Sequence, residues 1–152
     1  MKTGYEKLVK SKAIEKIHVS QGELADHLRK ARQDIETAQK VENIDLDWSF
    51  NIAYNGILQT ALTFMAYKGY RPKGDAKHYN TFRFLEASFP KSYTSKIKVL
   101  QNFRKKRNRA VYHEAHLVTE NEAKTIIAFS IKFLEEISEQ LPPEIIKLSK
   151  QE

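Results

Sequence analysis

An arginine, an asparagine and a histidine stand close together at Arg107, Asn108 and His113. A guanidinium keeps its charge at any accessible pH, and its fork matches the oxygens of a phosphate. There it can offset the extra charge of a pentacoordinate transition state. An imidazole, with an ordinary pKa of about 6.5, gives or takes a proton at neutral pH. Asparagine can hold a hydroxyl or orient the imidazole. With RNA the 2′-hydroxyl is an internal nucleophile, so a base and a cation flanking the phosphate suffice for cleavage without a metal.

Arg107 also stands where a helix calls for an apolar side chain. The stretch Ser92 to Tyr112 predicts a helix whose apolar positions Ile97, Val99, Leu100, Phe103, Ala110 and Val111 gather on one side at about 100° per residue. Arg107 projects into the middle of that group. Burying an unpaired charge costs several kcal/mol, so this position requires an anionic partner, a subunit boundary or a bound anion. Six residues along an ideal helix set His113 about 120° away from the Arg107 direction. The two can reach one phosphate if the helix loosens after Val111, or if two chains pair and share a site. Pairing is preferred, because it also explains an inward arginine.

The elements that must carry these groups are legible from punctuation. Ser20-Gln21-Gly22-Glu23 predicts a capping box. Beyond it Leu24, Leu28, Ala31, Ile35 and Ala38 form a narrow apolar seam reaching about Val41. A second helix starts near Asp47 and carries Trp48, Ile52, Ala53, Ile57, Leu58, Ala61, Leu62 and Met65, a wide apolar arc suited to a central position. Gly69 is a natural left-handed cap and Pro72 prevents continuation. Tyr70 to Lys77 is the principal loop, followed by a short helix from Tyr79 to Ser88 and then the basic helix. Thr119-Glu120-Asn121-Glu122 is a second capping box, opening a helix that runs to Leu141 and is closed by Pro142-Pro143. Leu8, Val9, Ala13 and Ile17 hint at a short helix in the first seventeen residues. No strand-like alternation of useful length and no internal repeat is present. The expectation is an all-α antiparallel up-and-down bundle of four longer helices with short ones attached. It divides into an N-terminal extension at 1–19, the bundle at 20–141 and a tail at 142–152.

Composition bounds the function. A length of 152 residues suits one domain with one core. The 41% hydrophobic and 30% charged residues argue against wholesale disorder. Five glycines and four prolines are too few for a turn-rich β fold and favour long helices. The net charge of +7 is unevenly spread: Lys91 to Arg109 holds eight basic residues, among them Arg104, Lys105, Lys106 and Arg109, and no acid. That face is a footprint for a polyanion or, more blandly, a solvated surface. The lack of cysteine excludes disulfides and thiolate metal sites. With no apolar leader and no run near the ~20 residues of a membrane span, the expectation is a cytoplasmic protein without membrane attachment.

Blander readings of the same residues stand beside these. Arg107 can pair with a carboxylate such as Asp34 or Glu36. His113 can simply suit the dipole of a helix end, and His78 can cap or pack. His113 and His116 have metal-ligand spacing, with His78 as a distant third, but no cysteine or clear carboxylate completes a zinc site. Trp48 and Tyr54 are expected in the core or at an interface. Tyr70 and Arg71 can stack on a base or cover the bundle end.

The run Arg107-Asn108-Arg109-Ala110-Val111-Tyr112-His113 resembles the signature of the HEPN family, the nucleotide-binding domain of higher eukaryotes and prokaryotes: an arginine, a polar residue, and a histidine after four to six intervening residues. Asp47 to Tyr54, the turn Lys68-Gly69-Tyr70-Arg71-Pro72-Lys73-Gly74 and His78 resemble the family's second helix, its glycine-tyrosine-arginine turn and the histidine opening its third helix. The likeness spans roughly Ser20 to Leu141. One departure is Ala115, which stands where a common toxin pattern has tyrosine. The resemblance implies a helical bundle that dimerises and brings two signatures into one cleft. It also implies metal-independent ribonuclease activity, toxins paired with a nucleotidyltransferase or another antitoxin, or, in inactive members, RNA or nucleotide binding. Carried over, Arg107 stabilises the phosphate, Asn108 orients and His113 serves in acid-base chemistry, with no cofactor and no metal.

The leading expectation is therefore a dimeric RNA-directed endoribonuclease that leaves a cyclic phosphate. Arg104, Lys105, Lys106, Arg109, Tyr70 and Arg71 would help to bind the nucleic acid. The alternatives are a non-catalytic module for RNA or nucleotides, and a helical interaction protein whose basic face meets an acidic partner.

Overall fold

Polar caps set where the long helices begin. In the computed structural model, which describes residues 3–112 and 114–151, the Ser20 hydroxyl accepts from the Glu23 amide at 3.1 Å and opens α2 (Gln21–Val41). The reciprocal bond of a capping box is not made there: the Glu23 carboxylate accepts from the Ser20 hydroxyl instead, at 3.4 Å. Asp45 caps α3 (Leu46–Tyr67) through the Trp48 amide. The complete box forms at Thr119, where the hydroxyl and the Glu122 carboxylate exchange bonds of 3.1 and 3.0 Å at the head of α6 (Glu120–Ser138). With α5 (Thr94–Tyr112) these are the four longer helices. Three shorter ones join them: α1 (Thr3–Lys10), α4 (Lys77–Ser88) and α7 (Pro143–Ser149). The protein is an all-α helical bundle.

The wide apolar arc of α3 makes it the central helix, packed against α2, α4, α5 and α6. Phe50, Ala53, Tyr54, Ile57, Ala61, Phe64 and Met65 are buried along it. Gly56 lets α2 approach closely: a β-carbon there would meet Ile35 Cγ1 at 2.8 Å and the Ala31 carbonyl oxygen at 3.3 Å. Trp48 does not join the core. It is 58% exposed on the first turn of α3.

Several expectations are corrected at the element ends. The first seventeen residues hold one helix only as far as Lys10, and Ile14–Lys16 instead forms strand β1. It pairs antiparallel with β2 (Tyr70–Pro72), with Ile14 opposite Pro72, Glu15 opposite Arg71 and Lys16 opposite Tyr70. Three-residue strands are too short to show alternation in the sequence, and their pairing is long-range. Helix α5 is preceded by a single 3-10 turn, Lys91–Tyr93, rather than starting at Ser92. Helix α6 ends at Ser138, and the proline pair starts α7, which packs on α2. A proline early in a helix loses nothing, since the first amides have no internal partner. On α5 itself Ile97 and Leu100 are buried, while Val99 and Val111 face outward.

The short ribbon also anchors the loop beside α5. Lys73 donates its amide to the Ala13 carbonyl at 2.9 Å, and Asn80 Nδ2 donates to the Lys73 carbonyl at 3.0 Å. The loop between β2 and α4 is thereby held from both ends. It presents Asp75 to Tyr79 toward α5.

Candidate functional site

Three elements meet at a pocket of about 520 Å³ lined by Asp75, Ala76, Lys77, His78, Tyr79, Arg104, Arg107, Asn108 and Tyr112. Arg104 and Arg107 are one helical turn apart, so both project from the same face of α5. Arg107 is half-buried, with its guanidinium carbon 5.8 Å from the Tyr54 ring centre and 6.0 Å from that of Tyr112. Its Nη1 donates to Asn108 Oδ1 at 3.2 Å.

No carboxylate neutralises Arg107 among the described residues. Asp34 accepts from Lys30 at 2.9 Å and from Asn55 at 2.7 Å, and Glu36 is exposed. The expected alternative of internal pairing with Asp34 or Glu36 is therefore overturned. The ion pairs of α5 use other side chains: Lys96 with Glu136 at 2.6 Å, Lys106 with Glu122 at 2.8 Å and Arg109 with Glu114 at 2.9 Å. The acid-free run is thus partly matched by acids elsewhere in the chain, and among the described residues the unpaired positive charge of the pocket lies on Arg104, Arg107 and Lys77. A carboxylate of the loop, Asp75, sits on the pocket rim.

Beside Arg107 lies a polar pair, one member buried and the other half-buried. Tyr54 is 1% exposed, and its hydroxyl is hydrogen-bonded to His78 Nδ1 at 3.1 Å. A buried phenol needs such a partner. Burial pushes the Tyr54 phenol well above its ordinary range, against the pull of Arg107 and Arg104. His78 is lowered from its ordinary value, first by burial and then by the positive fields of Arg107 and Arg104. The imidazole is consequently neutral at pH 7. Tyr79, half open to solvent, has the Arg104 guanidinium 5.4 Å and the Arg83 guanidinium 5.7 Å from its ring centre.

Of the residues singled out in the sequence, Arg104, Arg107 and Asn108 are brought together here. His113 lies outside the described residues. Lys106 points away from the pocket toward α6, Arg109 is spent on Glu114, and Lys105 is exposed elsewhere on the helix. Tyr70 packs its ring against Tyr5 at 5.3 Å and Phe84 at 5.6 Å, which commits it to the bundle end rather than to a base. Arg71 is paired with Glu15 across the ribbon at 2.7 Å.

Sequence reasoning placed Tyr54 in the core or at an interface, where it lies, but gave it no part in the site; it gave none to Lys77, Tyr79 and Tyr112 either, and read His78 as a cap or packing residue. One signal was present: a tyrosine on a strongly apolar helix carries a hydroxyl that must find a partner.

Among the described residues no group of three acidic or histidine side chains is placed to hold a metal ion, and no helix is long and apolar enough to cross a membrane. No family model matches this chain, and no curated protein matches it. A pocket with three cations against one carboxylate, a neutral imidazole, an amide and aromatic rings is chemically suited to an organic phosphate. The guanidinium forks take its oxygens, and the rings take a base.

Proposed function

We propose that this chain is a HEPN-type, RNA-directed protein that works in the cytoplasm as a dimeric, metal-independent endoribonuclease. The observation that carries the reading is the Arg107 guanidinium, half-buried in the pocket with an aromatic ring behind it and, among the described residues, no carboxylate paired with it, Asp75 lining the same pocket without forming an ion pair. Such a charge is costly to keep unless it has an anion to meet. An RNA phosphate seated between Arg104 and Arg107 supplies one, and a flanking base stacks on Tyr79 or Tyr112. The Asn108 carboxamide oxygen is held by Arg107, which leaves its amino group for a ribose hydroxyl. His113 serves in proton transfer, as the signature implies.

A second copy has exposed apolar side chains to cover beside the same end of α5, interspersed with Asp45, Asp47, Asn51 and His116. Ile44 is 80% exposed, and Trp48 lines a groove with Ala110 and the exposed Val111. Burying these side chains would follow the general preference of dimer cores for aromatic and aliphatic residues.

Incubating the pure protein with single-stranded RNA in excess chelator tests the reading. Cleavage that ends in a cyclic phosphate and disappears in the Arg107→Ala and His113→Ala variants is expected. Undiminished cleavage by either variant would remove the assigned site.

A second reading, a nucleotide-binding module without turnover, draws on the pairing of Lys96, Lys106 and Arg109 with acids. It predicts binding whose salt dependence corresponds to about two phosphates rather than a long track, with the RNA recovered intact.

A further inference from the structure

Cleavage of RNA by its own 2′-hydroxyl needs two proton transfers, one off the nucleophile and one onto the leaving oxygen. The signature stretch of each copy carries a single histidine, so within one chain a second proton-handling group must come from elsewhere. His78 brings another imidazole to the pocket from a different helix. We propose that His78, tied through Nδ1 to the buried Tyr54 hydroxyl, is the proton acceptor of the Arg104–Arg107 pocket. The inference rests on the reading of that pocket as an RNA phosphate site.

The geometry assigns the nitrogens. Nδ1 is engaged by Tyr54 at 3.1 Å, and among the described residues Nε2 makes no hydrogen bond, so Nε2 is the nitrogen left for the pocket that His78 lines. With Nδ1–H donating to the Tyr54 oxygen, Nε2 carries a free lone pair. The same Nδ1–H bond persists once Nε2 is protonated, so the ring need not turn during the reaction. Preorganisation of this kind is what a general base requires.

Of the groups facing His78, the two arginines favour the neutral base and only Asp75 opposes it. From α5 come Arg104, Arg107, Asn108 and Tyr112, and from α3 comes Tyr54. Lys77, Tyr79 and Asp75 flank it in its own segment. His78 sits in the first turn of α4, where the helix dipole opposes a positive charge. Burial and the two arginines add to this. A phosphate between the arginines offsets their field, so the imidazole becomes a stronger base when substrate is bound.

In the step itself Nε2 takes the 2′-hydroxyl proton as the O2′–P bond forms. The P–O5′ bond breaks, its electron pair stays on O5′, and O5′ takes a proton from His113 or from water. The products are a 2′,3′-cyclic phosphate and a 5′-hydroxyl.

Two readouts test the proposal. The first follows the histidine ring protons by NMR across pH, with and without uridine 3′-monophosphate. The His78 titration should move upward with the nucleotide, and that movement should vanish in Arg107→Ala. The second compares the wild type with His78→Gln, whose amide can still meet Tyr54. The variant should bind the nucleotide, yet cleave RNA slower by about 10²-fold or more and without the acid limb of the wild-type pH profile. A variant that cleaves like the wild type, or a His78 titration indifferent to the nucleotide, overturns the proposal. If the wild type fails to cleave while His78 still responds, the ribonuclease reading and the proton-accepting role both fall and only the phosphate-binding pocket stands. If neither occurs, the pocket falls with them.

Discussion

The Arg107 guanidinium lies against the Tyr54 ring, 5.8 Å from its centre, so a permanent charge on α5 rests on an aromatic wall supplied by α3. A positive group over a ring face gains modestly from the ring's quadrupole. That gain positions the side chain without neutralising it. The remaining attraction is directed into the pocket, toward whatever anion enters.

Removing Arg107 should therefore cost the fold little. A cation–π contact at a partly open site is worth about 0.5–1 kcal/mol, and its loss is offset by relief of repulsion from Arg104. We expect Arg107→Ala to change the unfolding free energy by less than about 1 kcal/mol in urea titrations. A drop of about 3–5 kcal/mol, the signature of a broken buried ion pair, would mean that the arginine holds the structure together instead.

Stability should fall as the solution is acidified through the ordinary histidine range, and His78 should account for part of it. Its folded pKa lies below its ordinary value of 6.5. Between those two values the unfolded chain binds more protons than the native one, so stability rises with pH there. Unfolding measured at about pH 7.5 and about pH 5.5 should show a smaller loss for His78→Gln than for the wild type. An identical loss would mean that His78 plays no part in the pH sensitivity.

Asp47 should be the most sensitive surface carboxylate. Its two oxygens accept the His116 amide at 2.7 Å and the Val118 amide at 2.9 Å, fixing the connection from α5 to α6 onto the first turn of α3. His116 adopts a positive φ of 55°, which this clamp helps to hold. Hydrogen bonds to a charged acceptor contribute about 1.5–3 kcal/mol each in sheltered settings and less near solvent. Asp47→Ala should lower stability by about 2 kcal/mol overall, read from thermal or urea unfolding.

Trp48→Glu should leave the monomer folded, since the ring is 58% exposed. If a second copy covers Ile44, Trp48 and Val111, the substitution places a charge in that interface. Sedimentation should then show a dimer for the wild type and a monomer for the variant. Equal masses for the two proteins would place any self-association on another surface.

Local signals carried the reading of the bundle, and non-local ones escaped it. Thr119 and Glu122 announce α6 because both partners of the capping box lie within one turn. Ser20 and Glu23 carry the same letters but make only half the box, a difference of side-chain geometry that spacing cannot express. The pairing of Glu15 with Arg71 was invisible because residues far apart in sequence define it. Periodicity correctly brought Arg107 toward the interior side of α5. It could not reveal that Tyr54 and His78 wait there, since each belongs to a different helix. The eight basic residues looked like one continuous face, until Glu122 and Glu136 of α6 and Glu114 of the following connection took three of them.

The affinity of a short single-stranded RNA for the wild type and for Arg107→Ala, compared at fixed salt, tests the central claim most directly. If Arg107 exists to meet a phosphate in this pocket, the variant should bind at least about tenfold more weakly, a loss of about 1.4 kcal/mol. Equal affinities from two equally folded proteins would contradict it.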